Sequence, residues 1–129
     1  MKRVDFYVVS EAGEEARLTV AARLVDKALS RGHRVFINAQ NEQQARQLDQ
    51  LLWTFRHESF IPHALACDDA NAAVVVGWGQ EPVNHDDVLI NLEYNAPVFF
   101  SRFMRVAEVV TQDEKSLDAL RAAWRFYRD

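Results

Sequence analysis

Short apolar runs that alternate with helical patterns are the feature that most limits how this chain can fold. Ala73 to Val76 is continuously apolar and Val88 to Leu92 is apolar apart from Asn91, which is typical of strands buried on both faces of a parallel sheet. Parallel strands need crossover connections, and those connections usually contain helices that cover the sheet. The sequence therefore predicts a three-layer, Rossmann-like α/β fold with a mainly parallel central sheet and flanking helices.

The other elements follow from hydrophobic periodicity and from end signals. Strands are predicted at Arg3 to Val9, Arg34 to Ala39 and Arg105 to Val110; helices at Glu14 to Ser30, Glu42 to Trp53 and Lys115 to Asp129; and a helical turn at Val98 to Phe103. Asn41 is suited to cap the second helix, because its side chain can accept a hydrogen bond from the first turn. Gly32 is suited to end the first helix.

Composition narrows the class of protein. With 129 residues, of which 49% are hydrophobic, the chain is expected to form a single domain over residues 1–129. No apolar run approaches the roughly 18 residues of a membrane span, and the first residues lack the apolar stretch of a signal peptide. We therefore expect a cytoplasmic protein without membrane contact. The single Cys67 has no cysteine partner for an internal disulfide or for a zinc or redox motif.

Net charge bears on nucleic-acid binding. At pH 7 the chain carries a formal charge of −4. Proteins that coat nucleic acid neutralise phosphates with clustered lysine and arginine, which releases counterions. Any role with DNA is therefore expected to be indirect, through other proteins.

Nucleotide and metal motifs are absent from the sequence. Ser10 to Glu15, which follows the first predicted strand, contains neither GxGxxG nor GxxxxGK[ST], and its glutamates would repel a phosphate. The four histidines are scattered without an HExxH pair: His33, His57, His63 and His85. We predict no nucleotide site, no metal site and no cofactor.

One segment leaves an enzymatic alternative open. His85, Asp86 and Asp87 could supply a base and carboxylates to a small α/β hydrolase or a nucleotide-dependent enzyme. They directly precede the predicted strand at Val88, where polar turn residues are expected in any case. No residue has the flanking motif of a catalytic nucleophile, so no catalytic residue is predicted.

The C-terminal helix carries the strongest functional pattern. Arginines and a tryptophan at i, i+3, i+4 and i+7 share one face: Arg121, Trp124, Arg125 and Arg128. The adjoining apolar stripe is formed by Leu117, Leu120, Trp124 and Tyr127. Because arginine holds a carboxylate bidentately while apolar surface takes a side chain, the pattern suits a peptide with an acidic, apolar C-terminus. The alternative is that the arginines offset the helix dipole and the aromatics lie in the core.

A second interaction candidate is the segment from Trp53 to His63. It contains Phe55, Phe60 and Ile61, more large apolar side chains than a loop of this length needs. Tryptophan and phenylalanine on loops are frequent interface anchors. The alternative is that the segment folds back and covers an edge of the sheet.

Several spaced motifs resemble those of the chi subunit of the bacterial DNA polymerase III holoenzyme, over essentially the whole chain. They are Asp5 to Tyr7, Leu48 to Trp53, Ser59 to His63, Asp87 to Leu92, Phe99 to Phe103 and Arg121 to Arg128. Chi subunits have an α/β fold similar to nucleotide-binding proteins but bind no nucleotide. The resemblance implies a non-catalytic adaptor at the replication fork, which joins the clamp loader, through its psi subunit, to single-stranded DNA-binding protein.

The resemblance also implies positions for two partner sites. The site for the acidic C-terminal tail of single-stranded DNA-binding protein, which ends in Pro-Phe, would comprise Val110, Arg121, Trp124, Arg125 and Arg128. In it, Arg121 is the main partner of the tail carboxylate and Trp124 is an apolar wall. Trp53 and Phe60 match the surface for psi and, in some relatives, for a repair helicase. Leu117 stands where some relatives have a lysine, which removes one positive charge from the tail site.

Overall fold

The computed structural model describes residues 3–55 and 61–128. Within these ranges, six parallel strands form one sheet in the order β1-β6-β5-β2-β4-β3. The strands are β1 (Arg3–Val8), β2 (Val35–Ala39), β3 (His63–Leu65), β4 (Val74–Trp78), β5 (Val88–Asn91) and β6 (Arg105–Val110). The helices are α1 (Glu14–Ser30), α2 (Glu42–Thr54) and α3 (Glu114–Arg128), with a 3-10 turn at Phe100–Arg102. The predicted α/β fold with a parallel sheet between helices is confirmed.

Alternation along the strands separates two apolar layers, because successive side chains point to opposite faces of a sheet. The larger layer lies under α1 and α2 and includes Ile37, Val76 and Ile90 with Leu48. The smaller layer, on the other face, is built from Phe36, Val75, Leu89, Val106 and Phe103, with Tyr127 of α3 packed against it. The sheet is therefore covered by two helices on one side and by α3 on the other.

Helix and strand ends lie close to their predicted positions. α1 and β6 have the predicted bounds, and the other predicted elements differ by one or two residues among those described. Asp129, the predicted end of the last helix, lies outside the described residues. The Asn41 side chain accepts a hydrogen bond from the Gln44 N–H at 2.9 Å, which confirms it as the N-cap of α2. Gly32 has a φ of 82°, a left-handed conformation that favours glycine and turns the chain out of α1.

The edge strand β3 was not predicted. His63 to Leu65 pairs in parallel with β4, with His63 opposite Val74. Three residues are too few to show periodicity, and their partner strand comes later in the sequence. The segment before β3 also reaches the core, because Ile61 is buried and Phe55 packs against the larger layer. In these residues the segment covers the sheet edge, as the second interpretation of this loop expected.

The N-terminus of α1 is occupied by a carboxylate of the chain itself. The Gly13 N–H, at a φ of 99°, faces both Asp113 carboxylate oxygens, at 3.0 and 3.2 Å. The Thr111 hydroxyl donates to the same carboxylate at 2.7 Å, and these hydrogen bonds hold the pKa of Asp113 below its ordinary value. Nucleotide-binding folds of this outline place a phosphate at such a helix end. Here an internal anion takes that place.

Candidate protein-binding site

The helix α3 lies on the sheet with little of its surface buried. Of its residues Glu114–Arg128, only Ser116 is buried. The Ser116 hydroxyl accepts hydrogen bonds from the Thr111 N–H at 3.0 Å and from an Arg17 guanidinium N–H at 3.3 Å. The start of α3 is therefore fixed by polar contacts to α1 and to the end of β6.

The C-terminal end of α3 is held by Tyr127. Its ring contacts Phe6 of β1 at 6.3 Å between centroids and Phe100 at 5.3 Å, both edge to face. Its hydroxyl donates to the buried Glu108 carboxylate at 2.8 Å, and Asn91 donates to the same carboxylate at 3.0 Å. Burial raises the pKa of Glu108 to about 7, against the lowering effect of these hydrogen bonds. Burial also raises the pKa of Tyr127 above its ordinary value.

Arg17 joins α1 to the strands beneath α3. This side chain is only 2% exposed, and its guanidinium donates to the carbonyl oxygens of Val109 at 3.0 Å and Leu92 at 2.6 Å. The Tyr94 ring covers the guanidinium at 4.6 Å, and Lys115 lies 4.7 Å from the same ring centre. Through these carbonyl partners the buried arginine connects α1 to β6 and to the residue that follows β5.

The outer face of α3 brings together four of the predicted tail-site residues. Trp124 is 51% exposed, and the Arg128 guanidinium lies 4.7 Å from the centre of its ring. The Arg121 side chain is exposed and forms an ion pair with Asp118 at 2.8 Å, while Arg125 is also exposed. We call Arg121, Trp124, Arg125 and Arg128 the arginine–tryptophan face. It is a cationic surface with an apolar side chain at the edge that adjoins the apolar stripe, as the helical spacing predicts.

Val110 does not lie on that face. It is 3% exposed at the end of β6 and lines a narrow cleft under Leu120 and Ala123 of α3. The cleft has a volume of about 10 Å³, which is close to the smallest space that holds one water molecule. In this conformation the cleft does not admit a phenylalanine ring, so the structure separates Val110 from the four residues on the arginine–tryptophan face.

The structure also exposes Phe126, which the sequence pattern did not single out. Phe126 is about half exposed and contacts Phe100 edge to face, with 5.2 Å between the ring centres. At about 100° per residue it lies on a different side of α3 from the arginine–tryptophan face, and it belongs to neither helical stripe that the spacing defines. Its exposure depends on where the 3-10 turn at Phe100–Arg102 packs, and helical periodicity carries no signal for that.

The second predicted surface is described only in part. Trp53, at the end of α2, is 52% exposed, and its ring centre lies 4.6 Å from that of the buried His63. The His63 ring nitrogens lie 2.6 Å from the Ile61 carbonyl oxygen and 3.0 Å from that of Asp49. Phe60, the other predicted contact residue, lies outside the described residues. Trp53 thus rests on a histidine that is fixed by backbone contacts.

The histidine and aspartate proposed for an enzymatic site form hydrogen bonds to other parts of the fold. His85 is buried, its Nε2 donates to the Ala72 carbonyl oxygen at 2.9 Å, and burial lowers its pKa. Asp87 instead accepts from the His33 ring at 3.0 Å and from the Arg34 N–H at 3.0 Å. The structure therefore does not pair His85 with Asp87 as a base and its orienting carboxylate.

Metal binding and membrane insertion can be assessed for residues 3–55 and 61–128. In this part of the chain, no three histidine, cysteine, aspartate or glutamate side chains are placed to hold a metal ion. No helix there combines the length and apolar character that crossing a bilayer requires.

The comparison with known families agrees with the motifs and the fold. A family model described as "DNA polymerase III chi subunit, HolC" matches residues 1–129. The chain belongs to this family. The family resemblance inferred from the sequence motifs is thereby confirmed, and membership gives the chain a role in DNA replication as an accessory subunit of DNA polymerase III.

Curated relatives cover nearly the whole chain. The DNA polymerase III subunit chi of Pseudomonas aeruginosa is 49% identical over 129 residues, which span 100% of this chain and 91% of the relative. The subunit chi of Escherichia coli is 30% identical over 135 residues, covering 99% and 92% of the two chains. That of Haemophilus influenzae is 27% identical over 116 residues, covering 88% and 81%.

Proposed function

We propose that this chain is a non-catalytic adaptor of the DNA polymerase III holoenzyme that binds two protein partners. The arginine–tryptophan face binds the acidic C-terminal tail of single-stranded DNA-binding protein. The surface around Trp53 and Phe60 binds the psi subunit of the clamp loader or, in its place, a repair helicase. The observation that carries the proposal is the half-exposed Trp124 among three arginines on a chain whose net charge is −4.

The chemistry of the arginine–tryptophan face matches that of the tail. The tail's terminal phenylalanine would pack on the exposed Trp124 ring, and its carboxylate would accept from Arg121. Arg125 and Arg128 then face the aspartates that precede the phenylalanine. Because these guanidinium groups are exposed, their attraction for the tail is screened by salt.

The expected affinity is modest. Burying the phenyl ring contributes about 1.5–3 kcal/mol, and charge-assisted hydrogen bonds to the carboxylate contribute about 1.5–3 kcal/mol more. Ordering the tail removes part of this gain, so a dissociation constant on the order of micromolar follows. A contact of this strength releases readily, which suits a tether between moving parts of a replication complex.

Val110 joins this site only if α3 shifts. Its cleft under Leu120 and Ala123 is too small for a ring in the conformation described above. We therefore expect Trp124→Ala to weaken tail binding more than Val110→Ala does.

The decisive experiment is fluorescence anisotropy of a labelled acidic peptide that ends in Asp-Ile-Pro-Phe, titrated with the full chain. Arg121→Ala and Trp124→Ala should each raise the dissociation constant about tenfold or more, because each removes a central contact. Arg46→Ala is the matched control, since Arg46 is also an exposed helical arginine in an ion pair, with Glu42 at 2.7 Å. The same peptide without its last phenylalanine should not bind.

Two outcomes would contradict the tail assignment. The first is that the intact peptide does not bind even at low salt. The second is that Arg46→Ala weakens binding as much as Arg121→Ala, which would mean that only net charge matters. Either result would leave the Trp53 surface as the chief functional site.

The second surface has its own test. Trp53→Ala should lower the affinity for purified psi about tenfold or more, as the loss of a tryptophan anchor does, while tail binding stays within about twofold. If psi binds the variant unchanged, the partner contacts another surface.

The non-catalytic part of the proposal is tested by thermal shift with nucleotides and divalent metals. A ligand that binds only the folded protein raises its melting temperature. We expect no shift, and a saturable shift with any of them would favour the enzymatic alternative.

A further inference from the structure

We propose that a cationic groove between α1 and the edge strand β1 binds the phosphate backbone of single-stranded DNA directly. This surface lies on the face of the sheet opposite α3, so the proposal is independent of tail binding and goes beyond it. In the adaptor function described above, contact with DNA is indirect.

The groove exists because one helix must cover too wide a stretch of sheet. α1 connects β1 to β2, and the strand order places β6 and β5 between them. At about 4.8 Å per strand, the connection spans about 14 Å, whereas a helix with its side chains is about 10–12 Å wide. β1 is left uncovered, and none of its residues Arg3–Val8 is buried.

The resulting groove has an apolar floor. One part, about 210 Å³ in volume, is lined by Tyr7 of β1, Leu24 and Ala28 of α1 and Ile90 of β5. A second part is lined by Val8, Val9 and Val20, and it shares Tyr7, Leu24 and Lys27 with the first. Because both parts share these residues, they form one continuous groove along α1. Aromatic and apolar floors of this kind accept nucleobases without selecting a sequence.

Cationic side chains line this groove on both sides. Arg23, Lys27 and Arg31 follow one another at four-residue spacing along α1, about 6 Å apart. Arg105 of β6 and Arg3 of β1 are register partners and lie at the opposite side. The row of charges runs along the groove, which is the arrangement expected for a charged strand rather than for a single ion.

Few carboxylates in the described ranges offset these charges. Asp5 lines the groove and accepts from Arg3 at 2.9 Å, and Asp87 is engaged by His33. Among residues 3–55 and 61–128, no carboxylate forms an ion pair with Arg23, Lys27, Arg31 or Arg105. On a chain of net charge −4, this local excess of positive charge attracts an anionic partner from outside.

A nucleic-acid strand fits better than an acidic peptide for two reasons. Its charges are evenly spaced along the backbone, as the α1 cations are, and its bases can use the Tyr7 floor. The family is also named for a subunit of a DNA polymerase, so single-stranded DNA is near its place of action. Net negative charge elsewhere on the chain keeps the interaction weak and salt-sensitive.

The test is fluorescence anisotropy of a labelled oligothymidine of roughly 15 nucleotides with the full chain at about 50 mM salt and above. The variant Lys27→Gln/Arg31→Gln should weaken binding about tenfold or more and reduce the slope of log affinity against log salt by about 1.4, since each phosphate contact contributes about 0.7. The control Arg46→Gln/Lys115→Gln removes the same charge, one lysine and one arginine, from exposed positions outside the groove and should leave the slope unchanged. Both groove positions are exposed, so circular dichroism should show an unchanged fold.

Three outcomes would overturn the proposal. These are the absence of oligothymidine binding at low salt, an equal loss in the control variant, and displacement of the oligonucleotide by poly-glutamate at equal charge concentration. The last outcome would assign the groove to an acidic protein segment. The acidic peptide ending in Asp-Ile-Pro-Phe should bind the groove variant with unchanged affinity, so this proposal and the adaptor proposal fail separately.

Discussion

The two faces of the sheet are covered in different ways. On one face α1 and α2 bury aliphatic side chains such as Val25, Leu48 and Leu52 in a continuous core. On the other face α3 buries only Ser116 and is held by hydrogen bonds and by the rings around Tyr127. The difference shows that α3 contributes little to the core, and its large side chains remain available for a partner.

The largest expected effect comes from truncating one leucine on each face of the sheet and comparing the losses in stability. Leu48→Ala in α2 should lower the free energy of unfolding by about 2–5 kcal/mol, because it leaves a cavity at a fully buried position. Leu120→Ala in α3 should cost less than about 1.5 kcal/mol, since Leu120 is only half-buried. Urea denaturation measures both, and equal losses would mean that α3 is as much a core helix as α2.

The second prediction concerns the ionisation of Glu108 under α3. Its pKa is raised by burial to about 7 in the folded chain, against an ordinary value of 4.5. The folded state therefore holds a proton that the unfolded state releases, so stability is fully present below about pH 4.5 and is lost as pH rises through 7. The 2.5-unit difference corresponds to roughly 3 kcal/mol.

The variant Glu108→Gln isolates the contribution of this carboxyl group to the pH dependence of stability. The variant should lack the fall in unfolding free energy between about pH 4.5 and 7 that the unmodified chain shows. Denaturation of both proteins at matched pH gives the difference curve. A flat difference curve would show that Glu108 titrates alike in the folded and unfolded states.

A smaller effect is expected from removing the Tyr127 hydroxyl. Tyr127→Phe keeps the ring contacts with Phe6 and Phe100 but removes the 2.8 Å hydrogen bond to Glu108. The cost should be about 1 kcal/mol below pH 7 and about 1.5–3 kcal/mol above it, where the carboxylate is charged. Thermal melts at two pH values measure this, and a cost that did not depend on pH would contradict the Glu108 assignment.

The smallest effect should come from the residue proposed to matter most for binding. Trp124→Ala should change stability by less than about 0.5 kcal/mol, because the side chain is half exposed and its contact is with the Arg128 guanidinium. A loss comparable to that of Leu48→Ala would place Trp124 in the core and remove the basis for the arginine–tryptophan face.

The parts of the fold that periodicity describes could be predicted from the sequence. α1 and β6 have their predicted bounds because long periodic segments carry the signal within themselves. β3 could not be predicted, since three residues are a strand only by virtue of pairing with β4.

The same distinction holds for the candidate site. Helical spacing predicted that Arg121, Trp124, Arg125 and Arg128 share a face, because spacing is a local property. It could not show that Val110 is enclosed or that Phe126 is exposed, since both depend on how α3 rests on the sheet. Glu108 was part of a predicted strand, and nothing local indicates that Asn91 and Tyr127 would enclose its carboxylate.

The Asp113 carboxylate at Gly13 has a consequence for how this subunit is controlled. A protein that completes its fold with a bound nucleotide can be switched by hydrolysis or exchange of that nucleotide. Here the anion at the start of α1 is covalently part of the chain, so it arrives with folding and cannot be exchanged. Under the proposed adaptor function, timing would therefore come from the supply of the partners and not from exchange of an anion at this helix end.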